Sequence, residues 1–85
     1  MRKDAARIIH LYMLNILNIR DEEDISSAAI LKDLYDCRVC VNHIAQVYLK
    51  GIMKAREYPQ GLTIFDSNSE ITYAEADETI NKLKG

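Results

Sequence analysis

The sequence predicts a small all-α domain, a bundle of about four helices with one long ordered loop. Three observations carry this: apolar residues recur at helical spacing in three stretches, a capping box opens a fourth, and no strand-like alternation stands out beyond residues 62–65. In the first stretch, residues 5–17, Ala5, Ile8, Ile9, Tyr12, Met13, Ile16 and Leu17 recur at helical spacing. Leu11 and Leu14 widen the stripe beyond what one neighbour covers, so this helix is expected to pack on two sides. The acidic run Asp21-Glu22-Glu23-Asp24 reads as a solvated connector. A second helix is expected over residues 25–35, with Asp24 or Ser26 as its N-cap. A third is expected over about residues 36–50, with Val39, Cys40, Ile44, Val47 and Tyr48 inward and Gly51 as a left-handed terminator.

Residues 54–69 lack a period and hold the single proline, Pro59, with Gly61 close behind, so they read as a loop anchored by Leu62, Ile64 and Phe65. The last helix starts at a capping box: the Thr72 hydroxyl accepts from the Glu75 amide while Glu75 reaches back, with Ile71 as a hydrophobic staple. Its expected buried stripe is Tyr73, Ala76, Ile80 and Leu83.

Length and composition bound what such a chain does. Eighty-five residues, 48% of them apolar, suffice for one small core, so residues 1–85 are read as a single domain. A net charge of -2 without a basic stripe argues against nucleic acid and acidic membranes as partners, and no apolar run is long enough for membrane insertion. The charged residues Arg2, Lys3, Asp4 and Arg7 occupy the place of a signal peptide's apolar core.

The constellations that suggest chemistry are weak. Cys37-Arg38-Val39-Cys40, followed by His43 and with His10 available, supplies four zinc-type ligands, yet the pair falls in a helical pattern rather than on a turn. Reduced, metal-free thiols acting as small apolar side chains are expected, and the two histidines read as partly buried polar groups. The oxygen-rich run 66–75 has the flavour of a calcium loop but lacks its length and its glycine. No nucleophile motif or phosphate loop is found, so the protein is expected not to be an enzyme, and no cofactor is expected.

Residues 31–83 carry, in order, Leu31, Asp33 and Leu34, then Val39-Cys40, Ile44, Val47, Gly51-Ile52, Tyr58-Pro59-Gln60-Gly61, Phe65 and Ile71-Thr72-Tyr73-Ala74-Glu75. In order and spacing this resembles one repeat of the S-layer homology family. Residues 1–17 resemble the second helix of a preceding repeat, with Arg2 and Asp4 at the family's Arg and Glu positions, and residues 18–30 connect the two. Val39 stands where the family has Trp, Ser67 where it has Pro, and Tyr73 where it has the motif Arg.

The resemblance implies a non-enzymatic module that attaches an exported parent to cell-wall polysaccharide at the bacterial surface. A chain without such a parent would be cytoplasmic. The implied ligand-binding residues are Arg2, Asp4, Gly51, Tyr73 and Glu75, with Arg2 replacing Tyr73 as holder of an acidic sugar. The alternative is a small helical protein-interaction module, including a divergent dockerin-like one, with the first helix available for homo-oligomer formation.

Overall fold

The computed structural model describes residues 1–84. It has helices α1 (Arg2–Asn15), α2 (Val41–Leu49) and α3 (Tyr73–Lys84), with strands β1 (Arg56–Tyr58) and β2 (Leu62–Ile64) between the last two. The strands pair antiparallel, Arg56 opposite Ile64 and Tyr58 opposite Leu62. The expected all-α bundle of four helices is therefore corrected to a small mixed α/β fold, three helices with a two-stranded sheet. The hairpin forms because Pro59 fixes its own φ while Gln60 and Gly61 take positive φ values of 72° and 75°, reversing the chain within three residues.

The second expected helix is absent. Residues 25–35 instead form two 3-10 turns, Ser26–Ile30 and Leu34–Asp36, joined by an extended Leu31. The buried residues Ala28, Leu31 and Leu34 recur every third position, which is the 3-10 period rather than the α period. Fully burying a leucine is worth about 1.5–3 kcal/mol, whereas ordinary residues differ in helix propensity by at most about 0.7 kcal/mol, so packing decides this segment. The amide of Lys32 also donates to the Thr63 carbonyl at 3.0 Å, which docks the segment onto the hairpin.

The third helix begins as the 3-10 turn Arg38–Cys40 and becomes regular only at Val41. Val39, expected inward, is 85% exposed. Cys37 and Cys40 are joined in a disulfide, which corrects the expectation of free thiols. A turn lets the two sulfurs meet where a regular helix would separate them. In α3 the capping box forms as expected, with Thr72 N–H donating to Glu75 at 2.9 Å and Glu75 N–H donating to the Thr72 hydroxyl at 3.1 Å. Its buried stripe differs: Thr79 is buried, while Tyr73 and Ile80 are exposed.

The core lies where Ala6 and Met13 of α1 meet Ile44, Ala45 and Val47 of α2, closed by Leu31, Leu34, Met53 and Phe65. Helix α2 ends in a paired-carbonyl motif: Gly51 N–H donates to Tyr48 O at 3.0 Å and Ile52 N–H to Val47 O at 2.9 Å. Gly51 sits at φ +71° with no atom within 4 Å of a built Cβ. Substitution there meets backbone strain alone, and Gly51→Ala should lower stability by about 1 kcal/mol in urea unfolding, with α2 otherwise intact.

Candidate functional site

Three groupings of side chains stand out, and the first is an ion network built around the buried Arg2. Arg2 enters it from the first turn of α1 and is 1% exposed. Its Nε donates to the Phe65 carbonyl at 2.8 Å, a second nitrogen donates to the Lys54 carbonyl, and a third lies 3.0 Å from Glu75. The guanidinium also stacks over the Phe65 ring, 4.6 Å from its centroid. Burial pushes the Arg2 pKa below its ordinary value, with Glu75 pulling the other way.

Glu75 is shared. Arg56 grips it through Nε at 2.9 Å and a terminal nitrogen at 2.6 Å, and donates to Asp66 at 2.8 Å from its other terminal nitrogen. Tyr58 and Ser69 hydroxyls also donate to Asp66, each at 2.7 Å. The hydrogen bonds from Tyr58, Ser69 and Arg56 hold Asp66 at about 2. Arg56 above all holds Glu75 at about 2, against the opposing effect of burial. The Asp66 and Glu75 carboxylates, part of what gave residues 66–75 their calcium flavour, are thus taken by guanidinium, hydroxyl and amide groups. Beside them, Asp33 accepts the amides of Phe65, Asp66 and Ser67 at 2.8, 2.8 and 3.1 Å, fixing the turn that follows β2.

The second grouping joins α1, α2 and the chain between them. His10, 2% exposed, has Nε2 2.6 Å from Asp21 and Nδ1 2.8 Å from Nδ1 of His43. An ionised carboxylate can only accept, so Nε2 of His10 donates to it. The Nδ1 atoms of His10 and His43 then share one hydrogen bond, one donating and the other accepting. Asn42 donates to the other Asp21 oxygen at 2.9 Å, and the buried Gln46 exchanges hydrogen bonds with both backbone groups of Glu22. Asp21 and Glu22, expected as solvated connector, are therefore pinned to α2. Burial acts to raise the Asp21 pKa, but the hydrogen bonds from His10 and Asn42 bring it below its usual value. Burial, with His10 and Arg7 adding repulsion, lowers that of His43.

The third grouping is apolar. A groove of about 540 Å³ between α1 and α3 is lined by Ile8, Ile9, Tyr12, Leu17, Ile80 and Leu83. It adjoins a smaller cleft of about 270 Å³ that reaches Ala5, Ile71, Ala76 and Thr79. Ile8, Tyr12 and Ile80 are 62%, 44% and 51% exposed.

Of the residues singled out in the sequence, Arg2 and Glu75 come together, but inside the network. Arg2 was expected as the holder of an external anion, and the structure instead commits its donors to internal acceptors. Asp4 is exposed in the first turn of α1, Tyr73 is 98% exposed at the start of α3, and Gly51 lies at the end of α2. Arg56, which organises both carboxylates, carried no sequence signal, because its partners lie 10 and 19 residues away.

Among the described residues, no grouping of three or more His, Cys, Asp or Glu side chains is arranged to hold a metal ion, and no helix is long and apolar enough to cross a membrane. Comparison of the chain with protein-family models, with curated proteins and with solved structures gave no match.

Two outcomes follow from these networks. Arg2→Met leaves Glu75 without one cation and the Phe65 and Lys54 carbonyls without its donors, and should cost about 3–5 kcal/mol in urea unfolding, with Arg2→Lys recovering only part. Acid should act in two steps. His43 has a lowered folded pKa, so its contribution is intact above the ordinary value of 6.5 and is lost as pH falls below it. Asp66 and Glu75, held at about 2, contribute fully above their ordinary 3.8 and 4.5 and lose that contribution as pH falls from there toward 2. The urea midpoint followed from pH 8 to 2 should show both steps, His43→Gln abolishing the upper and Glu75→Gln reducing the lower.

Proposed function

We propose that this chain is a non-enzymatic interaction module that associates through the apolar groove between α1 and α3, with a second copy of itself as the occupant. The carrying observation is the exposure of Ile8, Tyr12 and Ile80 around that groove, joined along α1 by Leu11 at 39% and Ile16 at 62%. These side chains leave on the order of 500 Å² of apolar surface uncovered, the size that functional patches reach on soluble proteins. Two such faces brought together approach the roughly 1,000 Å² that a specific interface needs.

The occupant follows from the shape of the face. Ile8 and Tyr12 form a ridge beside the groove they help to line, so a two-fold partner presents the same ridge to the same groove. The net charge of -2 opposes such pairing only weakly. Against this, the wall-polysaccharide role implied by the S-layer homology resemblance loses the residue assigned to hold the anion, since Arg2 is consumed within the fold.

Sedimentation velocity over a concentration series tests the reading. The wild-type chain should dimerise, while Ile8→Glu and Ile80→Glu, both on exposed positions, should remain monomeric and folded. Val39→Glu, exposed on another part of the surface, should dimerise like the wild type. A strict monomer at high concentration overturns the self-association. Binding of that monomer to acidic-polysaccharide cell walls, lost in Tyr73→Ala, would assign the attachment role instead.

A further inference from the structure

We propose that the Cys37–Cys40 disulfide is a reversible thiol–disulfide exchange site, taking a low-molecular-weight thiol as its reductant, with Cys37 as the sulfur attacked and Cys40 as the one released. Four observations make this reading and give it direction. The two cysteines are joined, so the structure holds the oxidised member of the couple. Their burial is unequal: Cys40 is 9% exposed and belongs to the core, whereas Cys37 is only partly buried. The chain neighbours of Cys37, namely Tyr35, Asp36, Arg38 and Val39, are all exposed, Tyr35 by 64% and Val39 by 85%, while Cys37 packs against the rim of the core. Finally, Cys40 is the N-cap residue of the nine-residue helix α2, and no side chain caps that end.

These features assign different work to the two sulfurs. An incoming thiolate reaches the sulfur of Cys37, because that of Cys40 faces the core. The charges beside it, Asp36 and Arg38, offset one another, so access decides the point of attack. The departing group is the Cys40 thiolate, formed at the N-cap position of α2, where the helix dipole favours negative charge. Core burial opposes the Cys40 thiolate while the helix dipole favours it, so access is what directs attack to Cys37.

The balance closes in two steps. The external thiolate forms a bond to the Cys37 sulfur as the Cys37–Cys40 bond breaks, and Cys40 departs as a thiolate that takes up the proton the first thiol released. A second thiol then attacks the external sulfur of the mixed disulfide. It releases Cys37 as a thiol and leaves as the oxidised disulfide of the small thiol, and two electrons have entered the protein. In reverse, the Cys40 thiolate attacks a mixed disulfide carried on Cys37 and expels the small thiol. The surrounding fold permits the cycle, because the loop closed by the disulfide spans a sequence separation of only three residues and both ends stay held by their own turns.

Glutathione is the probe. The folded wild-type chain, incubated with reduced and oxidised glutathione in varied ratio, should interconvert between disulfide and dithiol, read by alkylation and mass spectrometry, with its far-UV circular dichroism unchanged. Cys40→Ser should then accumulate a glutathione adduct on Cys37, at least about tenfold faster than Cys37→Ser accumulates one on Cys40, the difference expected between an accessible and a buried thiol. A disulfide that glutathione reduces only in urea overturns the proposal, as do equal rates of adduct formation in the two variants. Should either variant fail to fold, reduction of the wild-type chain under native conditions decides by itself.

Discussion

The buried guanidinium of Arg2 is the joint on which this structure turns. One side chain ties the first turn of α1 to the segment after α2 through Lys54, to the end of the hairpin through Phe65 and to α3 through Glu75. A cation in that position needs compensation on every side, because an isolated buried charge costs far more than the few kcal/mol by which small domains are stable. Compensation is supplied by two carbonyls, a carboxylate and an aromatic face, and the carboxylate is itself held by Arg56. The network therefore specifies one arrangement of four segments that apolar contacts alone would leave free to slide.

Asp33 performs the same service with the opposite sign. Its carboxylate gathers three successive amides, those of Phe65, Asp66 and Ser67, and so aims the Phe65 carbonyl at Arg2 and the Asp66 carboxylate at Arg56. The two polar centres are thus consecutive links. An anion from the 3-10 segment orders the turn after β2, and that turn then presents the acceptors which the cations require. The hairpin, only three residues to a strand, is too short to be stable alone and gains its order from this attachment.

What the sequence disclosed about this arrangement divides by range. The capping box at Thr72 and Glu75 and the positive φ of Gly51 are local devices, complete within a few residues, and both were readable. The 3-10 period of Ala28, Leu31 and Leu34 was present in the sequence too, but it resembles a sparse α pattern until the core shows which side chains are inside. Strands of three residues are too brief to display alternation, which is why the hairpin read as loop. The ion network was the least legible part, since Arg2 and Glu75 have no spacing rule that connects them. A charged residue near a chain end reads as solvated until its partners are known. The histidines read as partly buried polar groups in the sequence, but their direct contact with one another and with Asp21 depends on how α1 crosses α2.

The span of the Arg2 contacts also bears on how the molecule is made. The hydrogen bond from Arg2 to Phe65 closes 63 residues of chain, and Glu75 lies further still. During synthesis α1 emerges before residues 54–75, carrying a cation whose acceptors have not yet been translated. At the ordinary pace of about 5–20 residues per second it waits several seconds for them. Until residue 75 clears the ribosome, the end of α1 that holds Arg2 has no counter-charge from α3, and its apolar flank, including Ala5 and Ile9, has no α3 to lean on. Completion of this fold therefore waits until α3 has been made, and the interval before it is when α1 is most open to capture by a chaperone.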